Sequence, residues 1–267
     1  MLRRSAIATL LAGGHRARGA EGLGAYFEGA HGTAVVMDAG TGKAIAVHAP
    51  ELASAAVAPP GSTMKPCVLA ALMERGRLRG QDRWQCPGEL QIGGKSFACS
   101  HPPVGTPMDV RTALAYSCNC FVAHFAERFR EGELAADLAR YGFEGERHPR
   151  DVRLQALGVA GILVNASGLA MAYRRLSSGA PAPVIEGLED AVEYGTAQRA
   201  RIAGCKVAGK TGSVVAADGA RLAWFAGFAP SSAAKVVVTV MLQGRSGGAD
   251  AAPIAGRILD AHWKGML

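Results

Sequence analysis

Pro59-Pro60-Gly61-Ser62-Thr63-Met64-Lys65-Pro66, followed by the apolar run Cys67-Val-Leu-Ala-Ala-Leu-Met73, is the stretch from which the fold and the chemistry of this chain are read. Two prolines and a glycine break the backbone. Ser62 then opens a helix to about Arg75 in which Val68, Leu69 and Leu72 give the apolar stripe. Pro66 is tolerable only in the first turns of such a helix. Residues three apart share a helical face, so the Lys65 amine can reach the Ser62 hydroxyl. A serine hydroxyl is a weak nucleophile until a base takes its proton, and a desolvated lysine with a lowered pKa is such a base. The free N–H groups of a helix start can hold a developing oxyanion. Alone, S-x-x-K is a commonplace helix surface pair, so the reading needs partners.

Two partners occur downstream. Ser117-Cys118-Asn119 lies at a break between two helical stretches, where side chains point into a cleft rather than along a helix. Lys210-Thr211-Gly212, followed by Ser213, lies in the strand-like run Val207 to Val215. On an edge strand, a lysine, a hydroxyl and a glycine offer charge for a substrate carboxylate, a hydrogen bond to it and room for a peptide alongside. Together, in the order S-x-x-K, S-x-N, K-T-G, they describe a serine acyl-transfer site. A rival motif overlaps the third: Gly204 to Thr211 fits G-x-x-x-x-G-K-[ST], a phosphate-cradling loop. That loop needs an apolar strand before its first glycine and a helix at its Lys-Thr. Gln198-Arg-Ala-Arg-Ile-Ala203 precedes it and a strand pattern follows, so nucleotide hydrolysis is set aside.

Working outward, Thr33 to Asp38 and Ala44 to His48 read as a β-hairpin, and Glu89 to Phe97 as another turning at Gly93-Gly94. Asp109–Tyr116, Cys120–Arg130, Glu133–Tyr141 and Ala166–Leu176 carry helical patterns. Strand patterns return at Cys205–Val215, Leu222–Ala229 and Lys235–Leu242, and Ala252–Trp263 reads as a last helix. The expectation is an α/β (α+β) fold: a mostly antiparallel sheet assembled from the two ends of the chain, flanked by helices, with a helical region over 61–194 inserted.

The 267 residues are 49% hydrophobic and 19% charged, which excludes a disordered chain; 35 glycines without a G-x-y period exclude collagen. The net charge of +7 does not signal nucleic acid. Arg3, Arg4, Arg16 and Arg18 precede every acid, and without them the balance is +3, with no basic run interleaved with aromatics. Those arginines frame a leader-like segment over 1–20, with a short apolar stretch and small residues at Ala17 and Gly19, which implies export or an N-terminal anchor. The six cysteines and seven histidines show neither C-x-x-C nor H-E-x-x-H spacing, so no metal and no other cofactor is expected. Cys86 and Cys99 flank the second hairpin and in an oxidising compartment are candidates for a bridge.

At this point the residues resemble a family. Pro59 to Pro66 is similar to the nucleophile segment of the high-molecular-weight penicillin-binding proteins, the serine D,D-transpeptidases of the bacterial cell wall, more than to that of serine β-lactamases. Gly32 to Val47, Gly195-Thr-Ala197 with Val207 to Gly212, Ala223 to Pro230 and Gly247 to Pro253 resemble its opening hairpin, K-T-G approach, neighbouring strand and entry to the last helix. Cys86 and Cys99 fall where some class B members carry a cysteine pair. The resemblance implies a catalytic domain over 31–267, without room before it for a glycosyltransferase or pedestal domain. It implies Ser62 as nucleophile, Lys65 as base, Ser117 as proton relay and Asn119 as positioner. Lys210 and Thr211 would hold the substrate's terminal carboxylate, Gly212 would leave room for the peptide alongside, and the backbone N–H groups of Ser62 and Ser213 would form the oxyanion hole. Implied partners are peptidoglycan stem peptides ending in D-Ala-D-Ala, β-lactams as covalent inhibitors and a cell-wall assembly protein, on the outer side of the cytoplasmic membrane; nucleic acid is not among them. Two rival readings keep the same cleft: a β-lactamase, for which an E-x-x-L-N loop is absent while a carbamylated Lys65 stays open, and a penicillin-binding sensor or scaffold without turnover.

Overall fold

The computed structural model describes residues 20–267, so the leader-like segment, apart from Ala20, lies outside the described residues. After α1 (Ala20–Leu23), β1 (Gly32–Asp38) and β2 (Ala44–His48) form the expected hairpin. Next come α2 (Pro50–Ala55) and a 3₁₀ turn, Gly61–Met64, that runs into α3 (Lys65–Glu74). The nucleophile helix thus begins as 3₁₀, and Pro66 explains it. With no N–H on Pro66, the Ser62 carbonyl takes its bond one residue earlier, from the Lys65 amide. α3 is buried from Lys65 to Leu72 on every side rather than along one stripe, as befits a helix at the centre of a lobe.

β3 (Glu89–Ile92) and β4 (Lys95–Ala98) make the second hairpin, with Gly93 and Gly94 at φ +56° and +76° in its turn. The middle of the chain is helical as expected, with α4 (Val110–Ala115), α5 (Asn119–Ala126), α6 (Glu133–Tyr141), α7 (Val152–Ala156) and α8 (Ala166–Gly179). A two-residue pair, β5 (Glu144–Gly145) with β6 (Ile162–Leu163), interrupts it. The sequence reading missed α9 (Ala182–Glu193), whose Pro181, Pro183 and Gly187 mask a helical spacing of buried Val184, Leu188, Ala191 and Val192. α9 packs on α4, where the Asp190 carboxylate receives the Arg111 guanidinium and, at 2.8 Å, the Tyr194 hydroxyl.

β7 (Ala208–Val215), β8 (Arg221–Ala229) and β9 (Val236–Gln243) follow, then α10 (Ala252–Trp263). The first of these strands starts at Ala208 rather than Cys205, because Gly204 at φ +74° closes a tight Ile202–Cys205 bridge just before it. The main sheet is antiparallel throughout, in the order β2-β1-β9-β8-β7, so both chain ends build it and β7 is an edge. Its strands alternate between two cores. Val35, Met37, Trp224, Ala226, Phe228, Val237 and Met241 face the helical lobe with α3 and α8, while Ala34, Val36, Phe225, Val236, Val238 and Val240 face α10. Helices cover both faces, and β1, β8 and β9 are buried along almost their whole length. Among the described residues no helix is long and apolar enough to cross a membrane.

Since α3 carries the candidate nucleophile turn from inside this core, its packing sets the site's rigidity. Leu69→Ala, at a side chain with no exposed surface, is expected to lower the unfolding free energy by about 2–5 kcal/mol, read as a lower midpoint in urea at unchanged slope.

Candidate active site

The three sequence motifs meet at an open cleft of about 530 Å³ lined by Ser62, Ser117, Asn119, Thr211, Gly212 and Ser213, among others. Each arrives on a different element. Ser62 rides the 3₁₀ turn before α3, Ser117 the turn between α4 and α5, Asn119 the first position of α5, and the K-T-G residues the edge strand β7.

Lys65 lies behind the cleft wall with no exposed surface. Its amine donates to the Ser117 carbonyl at 2.7 Å and to Asn119 Oδ1 at 2.6 Å, and reaches Ser117 Oγ at 3.4 Å. Burial pushes its pKa down to about 8, against the opposite pull of the Cys118, Cys99 and Cys120 thiols. The turn that supplies these acceptors is strained. Ser117 has φ +57°, a left-handed conformation that costs a non-glycine residue about 1–3 kcal/mol. It is held there by Ser117 N–H to Leu114 O at 3.2 Å and Cys118 N–H to Ala113 O at 2.8 Å. The Nδ2 group of Asn119 donates to the Ala98 carbonyl at 3.1 Å, which ties the second hairpin to the site.

β7 is pressed against the nucleophile turn. A Cβ on Gly212 would meet the Pro60 carbonyl at 2.8 Å and Thr63 Cγ2 at 3.0 Å, so the third position of K-T-G has to be glycine for the strand to approach. On the other side of the contact, Gly61 has φ +55°, and a Cβ there would fall 2.5 Å from Val214 Cγ1. Thr211 lines the cleft, its hydroxyl bonded to Thr196 Oγ1 at 3.0 Å, and Thr196 is itself placed by its N–H to Ala115 O at 3.1 Å. Ser213 also lines the cleft, and its hydroxyl accepts from the Gly247 amide at 3.0 Å.

Lys210 departs from expectation. It comes to the site but under its floor, fully buried, with its amine donating to the Thr211 carbonyl at 3.1 Å. Burial and then the charge of Lys65 push its pKa well below that of an ordinary lysine. Of the two, Thr211 lines the cleft and Lys210 does not. The P-loop alternative fails on geometry, since Lys210 and Thr211 sit in mid-strand rather than at a helix N-terminus. Cys86 and Cys99 are free thiols with sulfurs 3.7 Å apart, close but not bridged.

Some contributors were outside the sequence reading. The buried Tyr173 on α8 donates its hydroxyl to the Thr63 carbonyl at 2.7 Å and pins the nucleophile turn from behind. Phe97 and Ala98 of the second hairpin, and Ser100 just after it, line the cleft. Neither carries a motif; both follow from which segments the fold makes neighbours.

Among solved structures the chain resembles the Pseudomonas aeruginosa PBP2 crystallised in complex with WCK 5153, with a TM-score of 0.77 and 19% identity over 91% of this chain and 73% of that one. It equally resembles the D,D-transpeptidase domain of a peptidoglycan glycosyltransferase from Eggerthella lenta, with a TM-score of 0.77 and 20% identity over 91% and 80% of the two chains. No curated protein matches the sequence. At these identities the structures speak for the fold, while the family model of the penicillin binding protein transpeptidase domain matches residues 32–160 and 170–260, which contain all three motifs. The sheet, the site and that match agree, and the chain belongs to the penicillin-binding protein transpeptidase family.

Proposed function

We propose that the chain is a serine D,D-transpeptidase that forms an acyl-enzyme through Ser62 on peptidoglycan stem peptides ending in D-Ala-D-Ala. The observation that carries this reading is the buried Lys65 amine, held by Ser117 and Asn119 one helical turn from Ser62. In its neutral form Lys65 takes the Ser62 proton as the oxygen attacks the penultimate carbonyl. The backbone N–H groups of Ser62 and Ser213 receive the developing oxyanion. The peptide C–N bond breaks, and the Ser117 hydroxyl passes a proton to the departing D-alanine amine. An acceptor amine then takes the acyl group from Ser62; with water as acceptor the same site is a carboxypeptidase. Thr211 binds the terminal carboxylate directly. Lys210, buried beneath the strand, acts on this anion through charge rather than contact. We assign the catalytic domain to residues 31–267 and residues 1–20 to export or anchoring. Such a substrate places the domain outside the cytoplasmic membrane, where a cell-wall assembly protein would be its partner and β-lactams its covalent inhibitors.

A fluorescent penicillin is expected to label the wild-type chain with one adduct, seen by intact mass, and to leave Ser62→Ala unlabelled at the same circular dichroism spectrum. A label that persists on the variant refutes Ser62 as nucleophile. A chromogenic cephalosporin should give a single burst followed by slow release; fast multiple turnover would make the chain a β-lactamase.

Acylation should follow the neutral form of Lys65. Its pKa lies below that of a free lysine, near 8. The second-order labelling rate is therefore expected to fall about tenfold per pH unit below pH 8 and to level off above it. A rate flat from pH 6 to 9 would remove Lys65 from the role of base.

A further inference from the structure

Beside the cleft, the fold gathers soft donors from three separate stretches of chain. Cys86 comes from the loop before β3, Cys99 and His101 from the loop after β4, and Cys118 from the α4–α5 turn. Their ligand atoms lie within 4.8 Å of one another. We propose that Cys86, Cys99, His101 and Cys118 bind one Zn²⁺ ion, which clamps the β3–β4 hairpin onto the turn that carries Ser117 and Asn119.

The distances carry the assignment. The three sulfurs form a near-equilateral triangle, Cys86–Cys118 at 3.5 Å, Cys86–Cys99 at 3.7 Å and Cys99–Cys118 at 3.8 Å. Zinc–sulfur bonds of about 2.3 Å in a tetrahedron put neighbouring sulfurs about 3.8 Å apart, whereas a disulfide joins one pair at about 2.05 Å and leaves the third thiol over. His101 completes the set with Nε2 at 3.7 Å from Cys86 Sγ. Its other nitrogen, Nδ1, faces the Pro102 carbonyl at 2.8 Å. An Nδ1–H bonded to that carbonyl fixes the tautomer whose Nε2 lone pair is free, the outer-shell arrangement metal-bound histidines use. Two of the sulfurs are held in place by backbone N–H groups, Cys118 by Phe121 and Cys86 by Gly88, both at 3.3 Å. Cys120 approaches Cys99 at 3.4 Å but lies outside the quartet.

Three thiols and an imidazole are the donor set of a structural zinc site, closed by four protein ligands with no open position for substrate. Binding is proton exchange without electron transfer: each thiol that ligates gives its proton to solvent, and the Zn²⁺ with three thiolates and a neutral imidazole carries one net negative charge. The expectation of no metal was drawn from spacing along the chain, which does not register ligands brought together by a hairpin and a helix turn.

The test uses the full chain purified under reducing conditions. Elemental analysis should find one zinc per chain. After chelation, titration with Co²⁺ should give thiolate-to-cobalt charge-transfer absorption in the near ultraviolet and the strong visible bands of a tetrahedral ion, saturating at one equivalent. Cys99→Ser should reduce bound zinc below a tenth of the wild-type level, and the more exposed His101→Ala should weaken zinc binding at least tenfold while melting as a folded protein. Zinc removal should speed amide hydrogen exchange across residues 86–101. Absence of both zinc and a tetrahedral cobalt spectrum in the reduced wild type overturns the proposal, as does zinc retained in full by Cys99→Ser. A mass two hydrogens light even under reduction, with no metal, assigns the cluster to a disulfide instead. These readouts do not depend on acylation, so the zinc site and the transpeptidase reading stand or fall separately.

Discussion

The constraint on which the rest of the site depends is the burial of a lysine amine. Taking an ammonium out of water costs several kcal/mol unless oxygens replace the water, and both close acceptors of Lys65 come from a single turn, the Ser117 carbonyl and Asn119 Oδ1. That demand explains why Ser117 holds a left-handed backbone. Turning its carbonyl inward toward the amine requires a φ that serine avoids, and the turn keeps it because bonds to Leu114, Ala113 and, through Thr196, Ala115 fix it from outside. The clamp between Arg111 and Asp190 then holds α4 to α9, so the strain at Ser117 rests on helix packing one layer away from the cleft.

The edge strand answers a different demand. One edge of β7 pairs with β8, while the face of the strand at Gly212 presses on the nucleophile turn. Gly61 and Gly212 bring two backbones closer than any side chain allows, beside the open cleft that Thr211 and Ser213 line. That closeness leaves two lysines buried near each other; burial lowers both amines, and the charge of Lys65 lowers Lys210 further.

Much of this was legible in the sequence because it is local. Helix starts, the two hairpins, the β-branched β9 and the α10 boundaries all follow from spacing and turn residues within a dozen positions. The three motifs were legible as well, since each has a fixed local spacing, although their convergence came from the family resemblance. What was missed is nonlocal or disguised. Pro181, Pro183 and Gly187 hid α9, because punctuation residues at a helix start and at a tight helix–helix contact look like those of a loop. Tyr173 reaches the Thr63 carbonyl across 110 positions, and nothing in its own helix announces that role. Lys210 was expected to face the substrate; strand alternation alone does not say which face of an edge strand borders a cleft and which a core.

The turn from Ser117 to Cys120 shows how little chain serves both networks. Its odd positions, Ser117 and Asn119, face the lysine, while Cys118 and Cys120 between and after them face the thiols. Asn119 belongs to both sides, for its carbonyl oxygen takes the Lys65 proton donor while its amide nitrogen holds the backbone of Ala98, the residue before Cys99. A rotation of this backbone that lengthened the thiol contacts would also swing the two acceptors away from the buried amine. The geometry that makes Lys65 tolerable inside the protein is therefore the same geometry that brings the sulfurs into a triangle, and fixing the sulfurs fixes the lysine's acceptors by way of one peptide turn.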